Sequence, residues 1–478
     1  MSGGPSISTM AETDSSDVLR ELAKLPELAH PTVSPNGGRV AFYYNVTGRN
    51  ELHVLDVESG EREQWSNGEV PRSARWPIAW DAEGDRLFFH RDEGGNEQND
   101  VYAIDREGAV EAVVEMDGQV SIGDVGPDGE TFLLGSTRDG QMNLYRHDLT
   151  KGETPKITDY ERAVGAPTVS PDGDRIAYAT NETDDFENMD VYVAEADGSN
   201  PRNLEVGETG AEAAPVDWGP AGERLLVADN TGDLGRCGSY DLAADEVTWY
   251  GEGEYEESPS FFTPNGEHFL ATRTRGATTM PIVYDVETGD VGEFDLPEGV
   301  AGFGWKSERT LDDRVVVTHT TSTRRPELLA YDLEVDESEV LVEAEYGPFS
   351  PDEFVDGEYF TFESDGVPET SAEAVSHDPY ETMEIGALLY DSGERPSPLI
   401  VNPHGGPRGM DSKSFSYRTQ FLLRRGFSVL QVNYRGSTGR GFRGRVRHPS
   451  RRRPVRLRPS RRTAPRRTPG RDRSSPGS

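Results

Sequence analysis

Short runs of alternating apolar and polar residues recur along the first 345 positions, and a turn of one type precedes most of them. Ser34-Pro35-Asn36-Gly37 leads into Arg39-Val40-Ala41-Phe42, and Ser170-Pro171-Asp172-Gly173 leads into Arg175-Ile176-Ala177-Tyr178. Degenerate copies run from Asp81 to Gly84, Gly126 to Gly129, Gly219 to Gly222 and Thr263 to Gly266. Proline presets φ at the first turn position, Asp or Asn bonds its own backbone, and glycine accepts positive φ. Each copy therefore predicts a tight link between antiparallel strands. The glycines at 37, 84, 129, 173, 222 and 266 lie 47, 45, 44, 49 and 44 residues apart, which is the length of a four-stranded propeller blade. Later in each repeat a second strand ends in an acid: Asp56, Asp105, Asp148, Asp197, Asp241, Asp285 and Asp332. The last of these follows Val315-Val316-Val317-Thr318 with no clear glycine turn ahead of it. Counting the strand ends predicts a seven-bladed β-propeller over residues 30–345, the aspartates opening hairpin turns rather than holding metal.

The pattern breaks at both ends of this block. Within residues 1–29, Ser16-Asp17 can cap a short helix through Val18, Leu19, Leu22 and Leu25, closed by Pro26. After Glu345, Tyr359 to Glu363 and Ile385 to Tyr390 read as strands off the blade spacing. An apolar strand through Leu399-Ile400-Val401 then runs into His404-Gly405-Gly406-Pro407. A helical end at Phe421 to Arg425 is closed by Gly426, and a buried strand spans Phe427 to Val432. Strand, helix, strand at this spacing predicts the start of a parallel α/β sheet in residues 346–441.

Charge narrows the function. The chain holds 87 Asp and Glu against 48 Lys and Arg, a net of −39, so most of its surface repels nucleic acid. Only five residues are lysine: Lys24, Lys151, Lys156, Lys306 and Lys413. Such an acidic, lysine-poor surface suits high salt, where screening removes self-repulsion. Cys237 is the only cysteine, which excludes an intrachain disulfide and a multi-cysteine metal site; we expect it buried. No apolar run reaches a membrane span and no signal-peptide pattern opens the chain, so the expected location is cytoplasmic. Neither metal nor cofactor is expected.

His404-Gly405-Gly406-Pro407 after one strand and Asn433-Tyr434-Arg435-Gly436-Ser437-Thr438-Gly439 after the next resemble the hydrolase domain of the prolyl oligopeptidase family of serine peptidases. The similarity is greatest to its acylaminoacyl-peptidase and dipeptidyl-peptidase-like members. It covers residues 30–441, propeller first and α/β-hydrolase second, and implies that the N-terminal helix packs back on the hydrolase. The activity it implies is hydrolysis of short peptides. Acyl transfer gathers negative charge on the carbonyl oxygen, and glycine lets a main-chain N–H approach that oxygen without a Cβ. The resemblance makes Gly405 and Gly406 the oxyanion-hole loop, with Gly406 favoured as donor and His404 and Pro407 supporting it. His404 is then structural and not the catalytic base. Tyr434 and Arg435 are open to two readings, lining the site or making ordinary structural contacts.

That family's nucleophile sits in Gly-x-Ser-x-Gly, a pentapeptide absent from these 478 residues; the catalytic Ser, Asp and His are therefore expected to be missing and the chain inactive. Residues 442–478 instead carry fourteen Arg and one Asp, a net of +13, against 34 basic and 86 acidic residues elsewhere, a net of −52. Two readings fit this expected disordered tail. One is a basic arm for nucleic acid or an acidic partner; the other is translation in a shifted frame that truncates the hydrolase domain. A rival for the whole chain is a stand-alone β-propeller that binds or scaffolds.

Overall fold

A computed structural model describes residues 15–232, 234–304, 310–311, 314–364, 384–406 and 409–439. Pro407 and the 442–478 tail lie outside these residues.

Residues 28–342 fold as consecutive antiparallel meanders, the first being Leu28–Val33, Arg39–Tyr44, Glu51–Asp56 and Arg62–Gln64. Later ones span residues 79–114, 120–148, 165–203 and 213–250, the one at 120–148 having three strands plus a bridge from Tyr145 to Lys156. The last two, residues 256–293 and 300–342, merge into one sheet through a single parallel pairing of Thr279 with Val300. The predicted turns are where strands one and two meet. In each, the glycine N–H donates to the residue three back, at 2.8 Å for Gly37 to Ser34 and for Gly222 to Gly219.

Packing arranges the meanders in a ring. Each neighbouring pair shares an apolar cluster; Trp80 and Leu87 meet Tyr43 and Leu52, and Trp218 and Leu225 meet Ala177 and Val191. The ring closes where Leu28, Phe42 and Leu55 of the first meander pack on Val316, Leu328 and Val342 of the last. Tyr44 adds a hydrogen bond to Glu345 at 3.1 Å across this seam. Cyclic closure leaves no free face between sheets, which is how propellers manage their edges.

The repeat also builds its own cross-links. Arg39 and Arg175, each just past its turn, donate to the carbonyls of Gly84 and Gly222 in the next turn around the ring, at 2.5 and 2.6 Å. Each guanidinium also lies over the next meander's tryptophan, Trp80 or Trp218, at 5.1 Å.

Beyond the ring, Glu358–Glu363, Glu384–Tyr390, Ser428–Asn433 and Leu399–Pro403 form one sheet in that order. Only the last two strands are parallel; the other pairings are antiparallel. The sheet is thus mixed rather than parallel, because period-two strands carry no signal of direction and only the strand–helix–strand crossover requires a parallel pair. Its crossover helix, Tyr417–Arg424, is capped by Ser416 Oγ accepting from Thr419 N–H at 3.3 Å. The N-terminal helix, Ser15–Ala23, and the turn after it pack Leu22 and Leu25 against Phe354, Phe415 and Phe421, and so rest on this second unit.

The unit also seats on the ring. Gln420 Nε2 donates to Ser322 O at 3.1 Å and Phe415 N–H to Thr320 Oγ1 at 3.2 Å. Lys413 N–H donates to Ala277 O at 2.8 Å. At the junction Arg325, 1 % exposed, donates to Leu25 O at 3.0 Å and Glu345 O at 3.2 Å, with Phe415 under its guanidinium.

Candidate active site

The loops 404–406 and 434–439 leave the carboxyl ends of the two parallel strands, the place where open α/β sheets hold their ligands. The turns that follow these strands rely on Gly406, Gly436 and Gly439 at φ 143°, 98° and 79°.

His404 is clamped on three sides. Its ring stacks on Tyr434, centroids 4.4 Å apart and planes 15° from parallel, and Tyr434 OH donates to His404 O at 2.8 Å. Nδ1 lies 2.8 Å from Gly405 O, and since a carbonyl only accepts, Nδ1 carries the proton. Nε2 then accepts from the buried Ser437 hydroxyl at 2.8 Å. Both ring nitrogens are engaged, which fixes the orientation of the imidazole against Tyr434.

With His404 pinned, Gly405 and Gly406 stand exposed, and among the described residues nothing accepts from their N–H groups. Gly409 is close behind: a Cβ there would lie 3.2 Å from Gly405 O and 3.3 Å from His404 Nδ1. Gly439 brings the other loop onto the ring, where a Cβ would sit 2.8 Å from both Thr274 Cγ2 and Met410 Sδ. Two free donors at a strand end can stabilise a developing oxyanion.

Ser437 and Asp411 enter as contributors that sequence reasoning gave no role. Asp411 N–H donates to Asn433 Oδ1 at 2.8 Å and Asn433 Nδ2 to Asp411 O at 2.9 Å, tying the two loops together. Burial pushes the Asp411 carboxyl up from the ordinary range, and its Oδ2 has no partner among the described residues. Ser437 stands inside the quoted Asn433-to-Gly439 run, so its position was visible; its partner was not, because the two are 33 residues apart. Tyr434 proves to be the floor under His404, and Arg435 lies in the turn after the strand, half-buried. Cys237 is buried in strand Arg236–Asp241, where desolvation drives its thiol pKa up. Among the described residues no three His, Cys, Asp or Glu gather as a metal site, and no helix is long and apolar enough to cross a membrane.

Comparison with known proteins adds family evidence. Residues 101–297 match a TolB beta propeller domain. The dipeptidyl aminopeptidase BIII of Pseudoxanthomonas mexicana is 24 % identical over 435 residues, 87 % of this chain; the chain spans 60 % of that relative's length. Among solved structures, a puromycin-hydrolyzing peptidase of Mycobacterium tuberculosis superposes with a TM-score of 0.71 at 18 % identity, covering 91 % of this chain and 70 % of its own. An acylaminoacyl peptidase of Pyrococcus horikoshii gives 0.63 at 17 % identity, covering 88 % and 67 %. Relatives and structural neighbours alike are members of the prolyl oligopeptidase and acylaminoacyl-peptidase family with a TolB-like propeller domain, and it is to these that this chain is similar.

Proposed function

We propose that this chain is the propeller and the opening of the hydrolase domain of a serine-type, acylaminoacyl-peptidase-like enzyme that cleaves short peptides. The observation that carries the reading is the His404 loop, whose imidazole is held on both nitrogens while Gly405 and Gly406, exposed at the ends of the parallel strands, have N–H groups with no acceptor among the described residues. In the intact enzyme a serine attacks, a histidine shuttles its proton, an aspartate orients the histidine, and Gly406, assisted by Gly405, holds the oxyanion. His404 is a positioning residue in this scheme. The meanders are seven blades whose ring stands over the site and keeps folded proteins out. A cytoplasmic, high-salt setting belongs to the same proposal.

The 478 residues hold no Gly-x-Ser-x-Gly, and loss of a catalytic serine costs on the order of a million-fold in turnover. We therefore expect no hydrolysis of a peptide ester that a serine-reactive phosphonate blocks; such turnover by the purified chain overturns the reading of inactivity. The composition change at residue 442 supports an out-of-frame tail. Resequencing the codons for residues 439–445 should expose another frame that restores an acidic chain with the pentapeptide, and two frames closing in stop codons refute this.

A second reading, a stand-alone binding propeller, is supported by the ring's own closure between residues 28 and 342 and by a cavity in it. Resequencing separates the two, since only the peptidase reading expects a frame that restores the pentapeptide.

A further inference from the structure

We propose that the ring carries a carboxylate-binding pocket between its first and second meanders. A cavity of about 570 Å³ opens there, walled by Tyr43 and Trp76 and reached by Arg72, Arg91 and Asn99. Its face is fixed by topology. Strands alternate in direction, so every loop joining the second and third strands of a meander emerges on one side of the ring. Residues 92–99 form that loop in the second meander. The equivalent loops of the last two meanders, holding Ala277 and Ser322, receive the second unit. The pocket therefore opens on the side that carries the His404 loop.

Among the described residues, three donors inside it lack acceptors. Asn99 is 3 % exposed and its Nδ2 is buried without a partner, a costly state unless a ligand oxygen completes it. Arg72 is exposed, and Arg91 lies over the Tyr102 ring at 3.8 Å. Neither guanidinium is within ion-pair distance of a carboxylate among the described residues. The local acids are already engaged: Glu97 pairs with Arg75, Glu69 accepts from Asn67 N–H, and Asp92 accepts from Glu97 N–H at 3.0 Å. The remaining cation, Arg49, is taken by Glu51 at 3.0 Å. His90 does not compete, since Ile122 N–H donates to its Nε2 at 3.0 Å and its Nδ1 faces Pro77 O at 3.3 Å.

Guanidinium and amide donors converging beside an indole fit a carboxylate attached to an apolar or aromatic group, which is the C-terminal end of a short peptide. Naming the ligand a peptide rests on the peptidase reading; the carboxylate site does not.

Calorimetric titration of the full 478-residue chain with N-acetyl-L-phenylalanine and with N-acetyl-L-phenylalaninamide, at one ionic strength, tests the pocket. The acid should bind and the amide should bind at least about tenfold more weakly, the penalty of losing a charge-assisted contact. Asn99→Leu should weaken the acid by about tenfold, and so should Arg72→Gln, whose exposed site leaves folding intact. Equal binding of acid and amide, no binding of either, or unchanged affinity in Arg72→Gln overturns the proposal. Because the readout is binding, a failed ester assay leaves this result standing, and a failed titration leaves the peptidase reading standing.

Discussion

At two of the repeated turns glycine answers two demands at once. Gly129 and Gly266 sit at φ 64° and 71°, and a Cβ on them would lie 2.1 Å from Ala82 Cβ and 3.3 Å from Pro220 Cδ in the preceding turns. The first demand is written in the turn itself, the second only in the ring. The acids that close the third strands behave as their spacing predicts: Asp56 accepts from Ser59 N–H at 2.9 Å and Asp285 from Thr288 N–H at 2.7 Å. Two histidines have a consequence that no motif announces. Burial pushes His53 and His90 down to about 4, whereas an unfolded histidine titrates near ~6.5. With the folded value depressed, the stability they support is intact above about pH 6.5 and is lost as pH falls toward the folded value. Urea midpoints should therefore drop between about pH 7 and about pH 5, and His90→Gln, which keeps a donor and an acceptor, should drop less. An equal drop in both proteins rejects the assignment.

At the scale of elements, the turns and the strand–helix–strand crossover were legible because each depends on a few adjacent residues. The Ser16 to Pro26 stretch was legible as a helix outside the repeat, and Ser15–Ala23 is helical. Its anchor was not legible. Arg325 holds Leu25 O and Glu345 O while Phe415 lies under its guanidinium, joining helix, ring and second unit at a site 300 residues from the helix. Arg325→Met should cost on the order of 3 kcal/mol, since it strands two carbonyls that a charged donor satisfied. Hydrogen exchange should report it as lost protection in Ser15–Ala23 and Tyr417–Arg424 with the ring unchanged; unchanged protection in both helices rules the staple out.

For the molecule as a whole, charge outweighs individual ion pairs. Exposed pairs such as Arg20–Asp17 and Arg106–Glu63 contribute little each, whereas a net of −52 outside residues 442–478 repels itself throughout. The screening length falls from about 10 Å at 0.1 M salt to about 3 Å at 1 M. The thermal midpoint should accordingly rise steeply between about 0.1 M and about 2 M KCl. A flat or falling midpoint refutes adaptation to high salt.

Local sequence determined what local chemistry can enforce: a repeat of 44 to 49 residues, the backbone reversals at its Pro-Asn/Asp-Gly turns, a capped helix before it, and a glycine pair at a strand end. Dihedral preference and alternation act over a few residues, and a repeat displays them many times. Tertiary structure alone decided that the last meander closes on Leu28 and Phe42, that Glu358–Glu363 joins antiparallel, that Ser437 pins His404, and that Asn99 is buried without an acceptor. These meetings join residues from 21 to about 300 positions apart, and no local preference encodes which distant partner will arrive.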